Sequence, residues 1–111
     1  MSPPKTQPPL PVRRALRELG SHLQTWRKLR GLTQAQLADR AGVSRRTVIR
    51  AERGDGAVSL EIALRILHAL GVLEGLPNAV DPYESDLGRL RAGDHLPQRV
   101  RPRDLRRARD G

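Results

Sequence analysis

The 111-residue sequence contains no cysteine, almost no aromatic residue and no long hydrophobic run. The absence of cysteine excludes disulfides, thiolate chemistry and zinc sites with cysteine ligands, and it is compatible with a reducing cytoplasm. No apolar stretch approaches the roughly 20 residues that a membrane-spanning helix needs, and the N-terminus lacks the hydrophobic segment of a signal peptide. We therefore expect a cytoplasmic protein.

One tryptophan, one tyrosine and no phenylalanine leave few side chains on which a base can stack. Proteins that bind RNA or single strands depend on such stacking, so the composition disfavours that class. The formal net charge of +9 nevertheless indicates a polyanionic partner, either nucleic acid or an anionic membrane surface. Of these partners, double-stranded DNA is the favoured one.

Proline and arginine divide the chain into three predicted parts. Residues 1–14 form a proline-rich arm, with five of the nine prolines in its first eleven residues, and we expect it to be disordered or polyproline-like. Residues 15–80 form the predicted domain. Residues 81–111 form a C-terminal extension, with a short helix at 84–91 and then a basic tail. The tail, 97–111, holds six arginines and should be unstructured unless bound.

The spacing of apolar residues predicts an all-α fold without internal repeats. The first helix ends at Gly31, and Ser21, three residues before Gln24, fits a capping box. This helix therefore begins at Ser21 after a separate lead-in, or it runs through from Val12. We expect Trp26 to lie in the core under it. Its apolar stripe consists of Leu16, Leu19, Leu23 and Trp26.

Capping residues and glycines bound the helices that follow. Thr33 with Gln36 forms a capping box, Gly42 ends the short helix behind it, and Ser44 and Ser59 cap two later helices. The helix after Ser59 is apolar on two faces, so we expect it to be buried against its own domain and also against a fifth helix or a second subunit. The predicted helices are 34–41, 45–53, 60–70 and 72–80.

Two short helices joined by a glycine turn are typical of a helix-turn-helix, in which one helix lies across the DNA backbone and the other enters the major groove. Ala38 is small where the two helices must cross, and Val48 faces the same contact. The positions left on the outside of the second helix are Arg45, Arg46, Thr47, Ile49 and Arg50.

Three stretches in this segment resemble the XRE family, the helix-turn-helix proteins related to phage Cro and repressors. Leu32–Ala38 reads LTQAQLA, Ala41–Val48 reads AGVSRRTV, and Ala51–Gly54 reads AERG. The similarity extends over about 19–70. It implies a compact five-helix, lambda-repressor-like domain. It also implies a sequence-specific transcriptional regulator, a repressor that binds an inverted-repeat operator as a homodimer.

The resemblance also implies roles by position. It implies a structural ion pair between Arg27 and Glu52. Because the planar guanidinium of arginine suits guanine O6 and N7, we expect a G-containing half-site. Ile49 either touches a thymine methyl or packs. The implied base-reading residues are Arg45, Arg46, Thr47 and Arg50, and the implied phosphate contacts are Thr33, Gln34, Ser44 and Arg53.

Alternatives to a stand-alone repressor remain open. The stretch from about 69 to 101 loosely resembles HipB-like antitoxins of type II toxin-antitoxin systems, which neutralise HipA-type kinase toxins and repress their own operon. That resemblance implies that the segment after Gly71 binds a toxin or a second subunit. The plainer interpretation is a fifth helix with a basic tail. A general architectural DNA binder is least favoured, because it would need wedge residues for the minor groove.

No arrangement of residues predicts an enzyme. His22, His68 and His95 each stand alone, without carboxylates or cysteines spaced for metal binding or acid–base catalysis. The three serines Ser21, Ser44 and Ser59 are better explained as helix caps than as nucleophiles. We therefore expect no catalytic residues, no metal and no cofactor, and the resemblance places the protein in the bacterial cytoplasm, on the nucleoid when bound to DNA.

Overall fold

A computed structural model of the chain describes residues 7–96, and all the regular secondary structure in this range is helical. The all-α prediction is therefore confirmed, although the described residues form six α-helices rather than five. The predicted segments 1–6 and 97–111, which belong to the two expected tails, lie outside the described residues. The helices are α1 (Leu10–Leu29), α2 (Gln34–Ala41), α3 (Arg45–Glu52), α4 (Leu60–Leu70), α5 (Gly75–Ala79) and α6 (Asp86–His95), with a 3₁₀ turn at Pro82–Glu84.

The described residues fall into two compact units that meet in sequence after Leu73. The first unit contains α1 to α4, and the second contains α5, the 3₁₀ turn and α6. The predicted fifth helix at 72–80 is shorter than expected and belongs to the second unit. The helix expected at 84–91 begins two residues later, at Asp86, and continues to His95.

Helix α1 is one continuous helix, and it begins earlier than the sequence suggested. Its first residue is Leu10, so the expectation of a disordered arm is wrong for 10–14, and Ser21 lies inside the helix instead of capping it. Proline is tolerated in the first helical turn, where the missing N–H has no intrahelical acceptor. The carbonyl of Pro9 accepts from the N–H groups of Val12 and Arg13 at 3.0 and 3.1 Å.

The core of the first unit lies between α1, α2, α3 and α4. Burying each large aliphatic side chain in it contributes about 1.5–3 kcal/mol. One face of α4 carries Ile66 and Leu70 into this core, but Leu60, which we expected to be buried, is 69% exposed. The buried apolar residues are Leu23, Leu32, Leu37, Ala38, Ala41, Val48, Ala51, Ile66, Leu67 and Leu70.

The face that α1 turns to the core differs from the predicted apolar stripe. Its fully buried positions are Gly20, Leu23 and Arg27, and Trp26 is 38% exposed, so the expectation that Trp26 is a core residue is wrong. The Trp26 ring instead lies 5.3 Å from the guanidinium carbon of Arg30. The spacing of apolar residues cannot predict this buried face, because two of its three positions are a glycine and an arginine.

None of the helices in the described range has the length and apolar character that crossing a membrane requires.

Candidate nucleic-acid interface

A reciprocal capping box fixes the start of α2. The Thr33 hydroxyl accepts from the backbone N–H of Gln36 at 3.1 Å, and the Gln36 side-chain oxygen accepts from the Thr33 N–H at 2.9 Å. These two bonds satisfy donors that the first helical turn leaves without an intrahelical acceptor. The predicted capping box and the predicted bounds of α2 are both confirmed.

A tight turn joins α2 to α3. Gly42 has a φ of +69°, in the left-handed region that glycine adopts at little cost, and the Val43 N–H donates to the Ala38 carbonyl at 3.0 Å. Ala38 is 4% exposed, and Val48 is fully buried on the facing side of α3. These contacts set the angle between the two helices, as the sequence predicted.

A serine cap and a threonine define the N-terminus of α3. The Ser44 hydroxyl accepts from the Thr47 N–H at 3.1 Å and lies 2.8 Å from the Thr47 hydroxyl. The helix ends at Glu52, with Arg53 as its C-cap, one residue earlier than predicted. Ser44 and Thr47, which the resemblance assigned to phosphate and base contacts, are therefore brought together at the exposed start of α3.

The outward face of α3 is a stripe of arginines. Arg46, Arg50 and Arg53 recur at the spacing i, i+4, i+7, which places them on one side of a helix, opposite the buried Val48 and Ala51. Arg46 and Arg53 are exposed, and neither forms an ion pair or a side-chain hydrogen bond with any residue in the range 7–96. We call Arg46, Arg50 and Arg53 the arginine stripe.

Arg45 lies beside the arginine stripe rather than in it. It is also exposed and has no side-chain partner within the described part of the chain. Ile49 is half-buried, so part of its side chain packs against the protein and part remains accessible at the surface.

Arg50 differs from the other arginines because it is paired. Its Nε donates to the Asp55 carboxylate at 2.8 Å, with the two side chains 41% and 36% exposed. The Ala57 N–H donates to the same carboxylate at 2.8 Å. This backbone hydrogen bond first, and the Arg50 guanidinium second, hold the pKa of Asp55 below its ordinary value of 3.8. No pattern in the sequence pointed to Asp55.

The inner end of α3 is fixed to α1 by a buried ion pair. Arg27 donates to both carboxylate oxygens of Glu52, from Nε at 2.7 Å and from Nη2 at 3.1 Å, and its Nη1 donates to the Leu32 carbonyl at 2.9 Å. The two side chains are 10% and 5% exposed. The structure thus brings together the two residues that the resemblance paired, and each of the three guanidinium nitrogens of Arg27 donates a hydrogen bond.

Gln34 belongs to the same network. One of its amide N–H groups donates to Glu52 Oε1 at 3.2 Å, so the side chain at the start of α2 is tied to the end of α3. An amide nitrogen carries two hydrogens, and the second remains for another acceptor. The resemblance assigned Gln34 to a phosphate, and no pattern in the sequence indicated its contact with Glu52.

Two glycines allow α1 and the end of α3 to approach each other closely. A Cβ on Gly20 would lie 2.5 Å from the Glu52 carbonyl oxygen and 2.8 Å from that of Ala51. Gly54 has a φ of +77°, and a Cβ there would lie 2.7 Å from the Leu16 carbonyl oxygen. The signal that could have revealed this crossing is a glycine in the middle of a long amphipathic helix, four residues after Leu16 and seven before Arg27.

The three histidines form no catalytic or metal-binding cluster. Among residues 7–96, no group of three or more histidine, aspartate or glutamate side chains is placed to hold a metal ion. His22, His68 and His95 are all exposed. The polar side chains around α3 are arginines, hydroxyls, an amide and two carboxylates, and the carboxylates of Glu52 and Asp55 are paired with Arg27 and Arg50. The donors that remain match an anionic ligand.

Comparison with known proteins places the same segment in a family. A family model described as helix-turn-helix matches residues 23–74, which include α2, α3, α4 and the last seven residues of α1. An uncharacterized HTH-type transcriptional regulator from Methanothermobacter thermautotrophicus is 53% identical over 45 residues, which are 40% of this chain and 65% of that protein.

A second relative has the same description and comes from Methanocaldococcus jannaschii. It is 44% identical over 50 residues, which are 45% of this chain and 76% of that protein. The matched region thus spans slightly less than two thirds of the first relative and about three quarters of the second. With the capped helices, the glycine turn and the family match at the same residues, the chain belongs to the XRE family of helix-turn-helix proteins.

Proposed function

We propose that this protein is a transcriptional regulator that binds double-stranded DNA by inserting α3 into the major groove. The observation that carries the proposal is the arginine stripe, which lies on the outward face of a short helix whose inward face is fixed to α1 and α2. A helix held in this way presents its side chains at a defined angle, which base recognition requires. The names of the two relatives support the same conclusion.

Within this interface, we assign two kinds of contact. Arg45, Arg46, Thr47 and Arg50 read base edges, and a bidentate arginine at guanine contributes about 1–3 kcal/mol of discrimination. Phosphates are contacted by Thr33, Gln34, Ser44 and Arg53. Two free donors support this division. Gln34 keeps one amide N–H beyond its bond to Glu52, and Ser44 keeps its hydroxyl hydrogen when Thr47 is the donor in their pair.

The regulator acts as a repressor in this proposal. Two copies form a homodimer on an inverted repeat, with the two α3 helices in successive major grooves about 34 Å apart. The bound dimer occludes the polymerase at the operator. The protein has no enzymatic activity in this role, requires no cofactor, and works in the cytoplasm.

Selection of bound sequences from random duplex DNA tests the proposal. Recovery of a G-containing inverted repeat, with affinity that falls steeply as salt rises, is the expected result, because each neutralised phosphate releases counterion. Recovery of no motif, with equal affinity for all duplexes, would contradict sequence-specific binding.

Two variants then test the division of contacts. Arg46→Ala should relax the preference at one base pair by about 1–3 kcal/mol, whereas Gln34→Ala should weaken binding to all sequences alike. If both variants change base preference to the same extent, the assigned roles are wrong.

The second unit supports a second candidate function. The residues from Glu74 onward form a separate compact unit with its own helices α5 and α6, and the family match ends at residue 74. A HipB-like antitoxin would use such a unit to hold its HipA-type kinase toxin while the first unit binds the operon. Co-purification of the native protein with a kinase is the expected result. Recovery of a lone dimer beside no toxin gene would refute this candidate.

A further inference from the structure

The members of the arginine stripe are held in two different ways. Arg46 and Arg53 are exposed and have no side-chain partner among residues 7–96, so no contact in this range holds either side chain in one rotamer. Arg50 is joined to the Asp55 carboxylate through its Nε. One position on the proposed reading face is thus oriented before any ligand arrives, and the other two are not.

Asp55 is itself fixed by the backbone around it. Its N–H donates to the Arg50 carbonyl at 3.0 Å, and its own carbonyl accepts from the Val58 N–H at 3.2 Å. Its carboxylate accepts from the Ala57 N–H at 2.8 Å. The carboxylate therefore has a defined position relative to the end of α3, and any side chain bound to it shares that position.

The geometry of the pair leaves the terminal part of the Arg50 guanidinium available. Arginine has five N–H donors in one plane, and the bond to Asp55 uses the one on Nε. The terminal Nη groups carry the remaining four, and the Arg50 side chain is 41% exposed. Two parallel donors of this kind match the O6 and N7 acceptors of guanine.

The charge of Asp55 acts in the same direction. A carboxylate beside the guanidinium offsets the attraction between Arg50 and phosphate, but it does not prevent hydrogen bonding to the neutral edge of a base. An arginine with a fixed carboxylate neighbour is therefore biased towards base contact. Arg53, which is assigned to a phosphate, has no such neighbour in the described range and keeps its full attraction for phosphate.

We infer that Asp55 is a positioning residue that makes Arg50 a specificity-determining contact to guanine. The inference rests on the proposed function, because it concerns how α3 reads DNA. Asp55 acts through Arg50 and does not itself touch the base. A purely structural role for Asp55, closing the loop after α3, would change stability without changing base preference.

Binding of the full-length chain to duplex variants tests the inference. The probes are the selected site, the same site with each guanine replaced in turn, and an unrelated duplex. The variants are Arg50→Ala, Asp55→Ala and the double variant, with Asp39→Ala as the matched control. Asp39 is an exposed acidic residue of α2 whose side chain has no partner among residues 7–96.

Asp55→Ala should reduce the preference for one guanine about tenfold, at the same base pair that Arg50→Ala affects. Its affinity for unrelated DNA should stay the same or rise, since a negative charge is removed. The double variant should discriminate no worse than Arg50→Ala alone, because both changes remove one contact. Asp39→Ala should leave base preference unchanged.

Other outcomes overturn the inference. If Asp55→Ala discriminates between bases as well as the wild type, Asp55 does not position Arg50. If Asp39→Ala lowers guanine preference equally, the effect comes from the change in net charge and not from the position of Asp55. If Asp55→Ala does not fold, Asp55→Asn keeps an acceptor for the Ala57 N–H and should still lower guanine preference. If only this inference fails, Arg46→Ala still loses base preference at its own base pair. If the proposed function fails, the wild-type protein itself shows no base preference, so no variant can lower it.

Discussion

On the inner face of α3, the Glu52 carboxylate is 5% exposed and binds both Arg27 and Gln34, whereas on the outer face Arg46 and Arg53 have no side-chain partner within residues 7–96. The same helix therefore carries charge in two opposite settings. Inside, each charged group is desolvated and must be compensated, so its removal affects folding. Outside, the charges remain hydrated, so their removal should affect binding and leave folding nearly unchanged.

Removal of Glu52 should have the largest effect on folding. Glu52→Ala leaves the Arg27 guanidinium buried without its carboxylate, and we expect the free energy of unfolding to fall by about 3–5 kcal/mol, measured by urea denaturation. The matched control is Glu61→Ala, which breaks the exposed pair of Glu61 with Arg65 and should cost about 0–1 kcal/mol. If the free energy of unfolding falls equally in the two variants, the buried ion pair stabilises the fold no more than the exposed one.

A methyl group at Gly20 should be the next largest perturbation. Gly20→Ala places its Cβ within 2.8 Å of three backbone atoms at the end of α3, which cannot rotate away, and stability should fall by about 1–3 kcal/mol. Gly93→Ala in α6 is the control, because a Cβ there has no heavy atom within 4 Å, and it should stabilise by about 0.5–1 kcal/mol. Thermal unfolding of both variants measures the difference, and a neutral Gly20→Ala would contradict the close crossing.

Two serine caps separate folding from binding. Ser44 caps α3 and Ser59 caps α4 with the same kind of hydrogen bond, at 3.1 and 3.2 Å, so either change to alanine should cost about 1 kcal/mol of stability. Only Ser44→Ala should also weaken DNA binding, as measured by fluorescence anisotropy with a labelled duplex. If Ser59→Ala weakens binding equally, the loss comes from stability and Ser44 contacts no phosphate.

The smallest effect should be a pH dependence at Asp55. Since the pKa of Asp55 is lower in the folded protein than its ordinary 3.8, its carboxylate stabilises the fold fully above about pH 4. This contribution is lost as pH falls through the folded-state pKa, where both states become protonated. The stability difference between the wild type and Asp55→Asn, followed by denaturation from pH 7 to pH 2, should therefore shrink towards the acid end. If the stability difference instead grows as pH falls, the pKa of Asp55 is not lowered in the folded protein.

Local signals in the sequence were sufficient for much of this architecture. Thr33, Ser44 and Ser59 predicted the starts of α2, α3 and α4, because a cap satisfies backbone N–H groups only a few residues away. The turn at Gly42 follows from the same short-range chemistry. The outward position of the arginine stripe could also be predicted, since helical spacing alone separates it from the buried Val48.

The sequence was a poor guide where long-range contacts decide. The buried face of α1 includes Gly20 and Arg27. Gly20 read only as a helix weakener until its backbone neighbours on α3 were known, and Arg27 was paired with Glu52 by the family resemblance, because helical spacing alone would leave it on the surface. The role of Asp55 was invisible for a related reason. An aspartate after a glycine reads as an ordinary loop residue, and only the positions of Arg50 and the Ala57 N–H show that its carboxylate is fixed.

The contact between Trp26 and Arg30 makes the intrinsic tryptophan fluorescence of the protein sensitive to its fold. Trp26 is the only tryptophan in the chain, and Arg30 lies over its ring while donating to the Leu70 carbonyl at the end of α4. The indole is therefore partly hydrated in the native protein, and its emission should lie towards long wavelengths even before unfolding. Because the guanidinium over the ring also donates to the Leu70 carbonyl, the surroundings of the indole depend on the packing of α4 against α1, and its emission intensity should change when that hydrogen bond breaks.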